Sequence, residues 1–300
     1  MATRASDGAT NDLPRGAAFM VASAFLFAAM GATVKLASQE LSNTMVVFVR
    51  SALSLLMLLP WLAWQGPGGL ATRRPFEHLV RGLAGLAAMY CFFFAIGHMR
   101  LADAVLLNYS LPLFVPFIES AWLGEPFEKP LWPGIVIGFL GLVLILKPGL
   151  SIFDPVALVG LAAALFAALA QVGVRRLTST EPVTRIVFYF GIVSTAASAV
   201  PAAFTWTPPP RSLLPTLLAL GLTATLAQLS MTRAYAYAPA AQVGPFIYSS
   251  VVFAWLFDWG FFKALPDALT LGGAVLVCSA GILTLKLARK PPSGPEPAGL

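Results

Sequence analysis

Charge is what this sequence has least of. Asp, Glu, Lys and Arg make up 11% of its 300 residues, against 58% hydrophobic residues. Soluble domains carry about 25% charged residues, and a water-facing surface for a chain of this size cannot be assembled from so few. The apolar solvent implied is a lipid bilayer. Histidine is scarce too: His78 and His98 are the only two, each near the end of an apolar run. No HExxH, no paired-carboxylate site and no ligand cluster at metal spacing is visible, so neither metal nor hydrolytic chemistry has residues to run on. The GxxxxGK[ST] phosphate loop is absent as well, so ATP does not drive this chain directly. These absences argue against an enzyme, and they leave no cofactor or metal to hold. The two cysteines, Cys91 and Cys278, lie inside apolar runs and read as small hydrophobes. The formal net charge of +6 comes without a basic patch interleaved with aromatics, which excludes nucleic acid as a partner.

What the sequence does have is a repeat of itself. A shift of 139 residues lays Leu26-Phe27-Ala28-Ala29 on Leu165-Phe166-Ala167-Ala168, Gly82 on Gly221, Tyr109-Ser110 on Tyr248-Ser249, Gly134 on Gly273 and Lys147 on Lys286. Apolar runs punctuated by charges, Gly and Pro give ten predicted spans: 16–36, 43–64, 76–97, 101–122, 131–147, 154–174, 183–203, 212–235, 239–262 and 267–287. A helix rising ~1.5 Å per residue needs about 20 residues to cross a ~30 Å hydrocarbon core, which these lengths supply. Continuous runs, rather than ten-residue alternation, select helices over a barrel. The expectation is an all-α polytopic membrane protein. Its ten transmembrane helices form two five-helix repeats, 16–147 and 154–287, with a disordered tail over 1–15 and a Pro-rich tail over 288–300.

Five is an odd number of crossings, so the second repeat enters the membrane upside down. This is an inverted repeat with a pseudo-two-fold axis in the membrane plane. With the N-terminus inside, 13 Lys and Arg, Arg73, Arg74, Arg81, Arg175 and Arg176 among them, fall on the cytoplasmic side, and 5 fall outside. That bias puts both termini in the cytoplasm. A fused two-repeat chain already holds what two half-length chains would have to assemble, so a monomer suffices.

Polar residues inside spans are the candidates for function, because a polar group facing lipid costs several kcal/mol unless it is satisfied. Asn108, Tyr109 and Ser110 lie about two turns into span 4, and the repeat-related Tyr248 and Ser249 lie at similar depth in span 9. Gln171, Gln228 and Tyr90 add polar groups in spans 6, 8 and 3, and Phe94 belongs to an aromatic run deep in span 3. Arg50, about two turns into span 2, has the chemistry to bind a substrate carboxylate, or to pair with a carbonyl. Interhelical hydrogen bonding is the competing role for the whole set. Pro112, Pro116 and Pro245 fall inside spans 4 and 9, where each frees a carbonyl four residues earlier. Glu119 and Asp258 are acids inside spans 4 and 9, related by the same 139-residue offset; proton coupling and a structural salt bridge are both open to them. Gly134, Gly138 and Gly141 in span 5, with Gly272, Gly273 and Gly281 in span 10, read as faces for close helix packing.

Together these features resemble the drug/metabolite transporter superfamily, and within it the bacterial EamA-like exporters. The residues that carry the resemblance are Lys35 closing span 1, Arg50 in span 2, Pro112 followed by Gly124-Glu125 where span 4 ends, and the glycine-rich stretch from Gly134 to Lys147. The second repeat departs from this pattern, with Ser249-Ser250 and Phe262-Lys263 at the matching places. Within the family the chain looks most like YddG-type exporters. That likeness implies export of aromatic and other amino acids, or similar small amphipathic metabolites, across the bacterial inner membrane, with a central cavity opening alternately to each side. Export of other metabolites or drugs stays open at this point. So does a nucleotide-sugar or sugar-phosphate type transporter, which requires several basic residues deep in the cavity.

Overall fold

The computed structural model describes residues 12–98, 101–124, 129–148, 155–262 and 268–288, and no strand occurs among them. Eight helices are long and apolar enough to cross a membrane, and two shorter apolar helices, Trp132–Leu146 and Ala240–Ala254, complete ten crossings. Helices are named here by span. Span 1 is Leu13–Ala37, span 2 is Asn43–Gln65, span 3 is Pro75–His98 and span 4 is Ala104–Leu123. Span 5 is Trp132–Leu146, span 6 is Val156–Thr178 and span 7 is Val183–Phe204. Span 8 is Leu214–Tyr237, span 9 begins at Ala240 and ends with the helix Ser249–Phe262, and span 10 is Ala268–Ala288.

Span 1 starts three residues before its predicted bound. The side chain of Asp12 accepts from the Arg15 N–H, and Pro14 stands at the first turn, where its missing N–H costs nothing. The rest of the tails, 1–11 and 289–300, lies outside the described residues.

The packing exchanges the two repeats. Span 1 lies along span 8, and span 3 lies along span 6, its repeat-related counterpart. Span 4 meets span 6 as span 9 meets span 1. Span 2 packs on span 7 and span 5 on span 10, each pair mapping onto itself under the exchange. The two halves therefore clasp each other about a pseudo-two-fold axis, and five crossings per half put that axis in the membrane plane.

Small residues let these helices approach. A Cβ added at Gly82 in span 3 would lie 2.6 Å from Val193 of span 7, and one at the repeat-related Gly221 in span 8 would lie 2.6 Å from Leu53 of span 2. In spans 5 and 10 the backbones touch: a Cβ at Gly141 would come within 2.7 Å of the Gly273 carbonyl oxygen. Lipid gives no hydrophobic drive for helix association, so such close contact is what holds the pairs.

Spans 4 and 9 are not continuous helices. The helix Leu101–Asn108 stops at a turn over 109–110, and a second helix, Leu111–Ile118, follows. In span 9 the short helix Ala240–Val243 gives way to a 3₁₀ turn, Gly244–Tyr248, before Ser249–Phe262. The breaks fall at repeat-equivalent places although the prolines do not: Pro112 follows the turn over 109–110, and Pro245 lies within the 3₁₀ turn Gly244–Tyr248. Proline removes an N–H and crowds the carbonyl four residues back, so each interrupts the ladder near its own break.

Candidate functional site

A cavity of about 170 Å³ lies between the repeats, walled by spans 2, 3, 4, 6, 7 and 8. It sits on the pseudo-two-fold axis, because two repeat-related pairs line it: Met89 with Gln228, and Phe92 with Met231. The polar lining breaks that symmetry. Arg50 and Arg81 come from the first repeat, and Tyr189 and Leu220, respectively, stand at the related positions of the second. Asn108, the last residue before the break in span 4, reaches the cavity, with Gln171 from span 6.

The two guanidinium groups are buried, with Arg50 6% and Arg81 2% exposed. Arg81 Nη2 donates to Gln228 Oε1 at 3.0 Å, and its guanidinium carbon stands 3.7 Å from the centroid of the Phe190 ring. Arg81 Nε finds no partner. Arg50 points Nε at the Met30 sulfur, 3.3 Å away, and Nη1 at the Met89 sulfur, 3.5 Å away. Thioether sulfur is a weak acceptor and carries no charge. Gln171 accepts from the Tyr235 hydroxyl through Oε1.

Sequence reasoning counted Arg81 with the cytoplasmic loops. The structure puts it inside, since the helix begins at Pro75 and Arg81 lies more than a full turn along it. The signal was present, because the predicted span already began at 76. Without Arg81 the count is 12 against 5, so the bias keeps its sign.

Of the residues singled out from sequence, Arg50, Asn108, Gln171 and Gln228 come together on the cavity. The others are placed in the packing. Ser250 Oγ donates to the Tyr109 phenol oxygen at 2.7 Å, so the repeat-related clusters of spans 4 and 9 meet each other directly. Ser110 donates to the Leu107 carbonyl and Ser249 to the Phe246 carbonyl. Tyr248 is fully buried beside Gly138, where a Cβ would lie 2.6 Å from its ring. The hydroxyls of Tyr90 and Tyr248 have no partner, and Phe94 is half-exposed, stacked on His98.

Glu119 is 3% exposed. Its carboxylate accepts from the backbone N–H of Ala240 at 2.6 Å and of Ala241 at 2.8 Å, the first amides of span 9. Helix N-termini present such unpaired donors and favour negative charge. Glu119 therefore ties the end of span 4 to the start of span 9. The side chain of Asp258 lies outside the described residues.

A polar layer covers the same end of the bundle. Arg176 donates to the Trp122 carbonyl at 3.0 Å and pairs with Glu77 at 3.2 Å, and Arg175 donates to the Tyr235 carbonyl at 2.9 Å. Thr72 and Arg185 both bond Glu181, each at 2.6 Å. Burial pushes the Glu181 carboxyl up, but the bonds from Thr72 and Arg185 and the Arg185 charge outweigh it and hold the group below the usual carboxylate value. These contacts tie spans 3, 4, 6, 7 and 8 together at the end that carries most of the basic residues.

The sequence profile of the EamA-like transporter family matches residues 14–147 and again residues 155–286. The chain belongs to the EamA-like transporter family. This EamA protein is thus a membrane transporter and not an enzyme. It is 35% identical over 274 residues to the pseudopaline exporter CntI of Pseudomonas aeruginosa, covering 90% of this chain and 95% of that protein. It is 29% identical over 245 residues to an S-adenosylmethionine uptake transporter of Rickettsia bellii, covering 82% of this chain and 84% of that one. Against a riboflavin transporter of Vibrio cholerae it is 27% identical over 276 residues, with 90% and 93% covered. A solved crystal structure superposes with a TM-score of 0.79 at 18% identity, covering 92% of this chain and 99% of that one, a likeness of fold.

Proposed function

We propose that the protein is a secondary exporter of the bacterial inner membrane. It carries small carboxylate-bearing metabolites, amino acids (aromatic and other) among them, out of the cytoplasm by alternating access. The observation that carries this reading is the cavity on the pseudo-two-fold axis, with Arg50, Asn108, Gln171 and Gln228 on its wall. A cavity at a repeat interface, flanked by a broken helix, is where rocking of one repeat against the other exposes a site to each side in turn. Arg50 binds the substrate carboxylate, and the amides orient it. Both termini lie in the cytoplasm, on the argument of basic-residue bias, so the end of the bundle that this polar layer joins is the cytoplasmic one. Glu119 ties spans 4 and 9 together at that end, and a monomer performs the cycle. Export is the direction favoured by the 35% identity to an exporter, and the uptake transporters stand at 27–30%.

The test is counterflow in proteoliposomes, with labelled amino acids and pseudopaline supplied to vesicles preloaded with the same compound. Exchange above empty vesicles is expected for at least one of them. Flux no greater than that of empty vesicles across the whole panel would sink the assignment.

A further inference from the structure

The cavity holds two buried cations and, among the described residues, no acid to balance them. Elsewhere in the protein the paired cations sit on carboxylates: Arg74 and Arg176 on Glu77, Arg185 on Glu181, Arg15 on Asp12. Glu119 is turned to the amides of span 9. Among the described residues no Asp or Glu lines the cavity. Buried charge is tolerated when it is paired, and an uncompensated one is costly.

The remaining polar atoms point the same way. Gln171 and Gln228 each commit the side-chain oxygen to a protein donor, Tyr235 and Arg81 respectively. Their N–H groups remain to be offered. Arg81 Nε is free, and Arg50 meets only sulfur. The charged groups on the cavity wall are both cations, and its side-chain acceptors are neutral amide oxygens.

A zwitterionic amino acid fits this poorly. Its carboxylate finds a guanidinium, but its ammonium needs acceptors and meets two like charges instead. A molecule with two oxyanion groups satisfies both arginines, because the planar guanidinium fork matches a carboxylate or a phosphate with paired hydrogen bonds. The cavity of about 170 Å³ is below the ~300–1,000 Å³ of drug-sized sites, which restricts the occupant to a small molecule.

We propose that this cavity selects a small dianion carrying two oxyanion groups, one on Arg50 and one on Arg81, over a zwitterion of the same size. The inference rests on the transporter reading above and narrows its substrate class. Carboxylate and phosphate are the two sources of such a group.

The experiment measures binding to the full chain in nanodiscs, using phenylsuccinate, L-phenylalanine and phenyl phosphate as probes of similar size. Phenylsuccinate is expected to bind at least about tenfold more tightly than phenylalanine, the step that one charge-assisted contact supplies. Arg50→Gln and Arg81→Gln should each bring the two to within about twofold. Arg81 also packs on Phe190, so Arg81→Lys is included as a variant that keeps the charge and loses the fork. It should weaken phenylsuccinate severalfold more than it weakens phenylalanine. Phenyl phosphate carries both charges on one group, so its binding ahead of phenylsuccinate overturns the two-group arrangement. Phenylalanine binding as well as or better than both dianions overturns the proposal, as does a dianion preference that survives both Gln substitutions or no binding of either dianion. Amino-acid counterflow separates the two readings. Robust exchange with no dianion preference leaves a transporter standing without this selectivity, whereas no flux and no binding removes both.

Discussion

Glu119→Gln is the substitution whose consequence follows most directly from the coordinates. The amides of Ala240 and Ala241 open span 9 just after Pro239, and as the first donors of a helix they have no carbonyl behind them within it. The two oxygens of Glu119 fill that gap at 2.6 and 2.8 Å. Glutamine retains the size but has one acceptor oxygen, and it turns an NH₂ donor toward the second amide. A hydrogen bond to a charged group is worth about 1.5–3 kcal/mol, so losing one and facing two donors costs at least that much. Each ~1.4 kcal/mol is tenfold in an equilibrium, so local opening should rise about 10- to 100-fold. Hydrogen–deuterium exchange by mass spectrometry reads this directly. Peptides covering 240–243 should exchange that much faster in Glu119→Gln, while peptides from span 5, Trp132–Leu146, keep the wild-type rate. The variant should also label faster at the end of span 4 with a membrane-permeant thiol reagent after Ala121→Cys. Equal protection over 240–243 in the two proteins would refute the claim that Glu119 joins spans 4 and 9.

Other outcomes follow from the same structure. Gly141→Val should lower the melting temperature or abolish monodisperse elution in fluorescence-detected gel filtration, since the new side chain meets the Gly273 backbone, an overpacking cost of about 1–3 kcal/mol. Gly272→Ala, with nothing within 4 Å of its Cβ, should elute and melt as wild type does. Glu181 is held below the usual carboxylate value, so its contribution is complete above the unfolded-state pKa and is lost as pH falls through the lower folded one. Melting temperature should therefore fall more steeply below about pH 4 in the wild type than in Glu181→Gln. With Cys91 and Cys278 replaced, Ser38→Cys should react with an impermeant maleimide in intact cells, and Gly68→Cys only after permeabilisation. The reverse pattern would invert the topology.

The ten crossings were legible in the sequence, because lipid demands long apolar runs and the chain has little else. The inverted duplication was legible as well, from an offset and an odd count. The glycine faces of spans 5 and 10 could be recognised as packing surfaces, since small residues at helical spacing have that use in a membrane. The candidate site was only partly readable. Arg50, Asn108, Gln171 and Gln228 stand out in the sequence as polar residues that must avoid lipid, and they share the cavity. Tyr109, Ser110, Tyr248 and Ser249 obeyed the same rule and ended in the contacts between and within spans 4 and 9. Depth and polarity say that a residue must avoid lipid; they do not say whether it faces a void or a neighbour.

That choice belongs to the tertiary structure, for a physical reason. A buried polar group can be satisfied by another helix or by a substrate, and only the rotation and spacing of the packed spans decide which is within reach. Arg81 shows the limit clearly. From sequence it looked like one more orienting charge beside Arg73 and Arg74. In the fold, span 3 starts far enough back, and lies close enough to spans 6, 7 and 8, to carry its guanidinium against Phe190 and Gln228. The sequence by itself determined that this is a membrane-spanning helical duplication, through its apolar runs and its 139-residue offset. The clasp of the two repeats placed two positive charges in one small cavity with no acid among its lining residues.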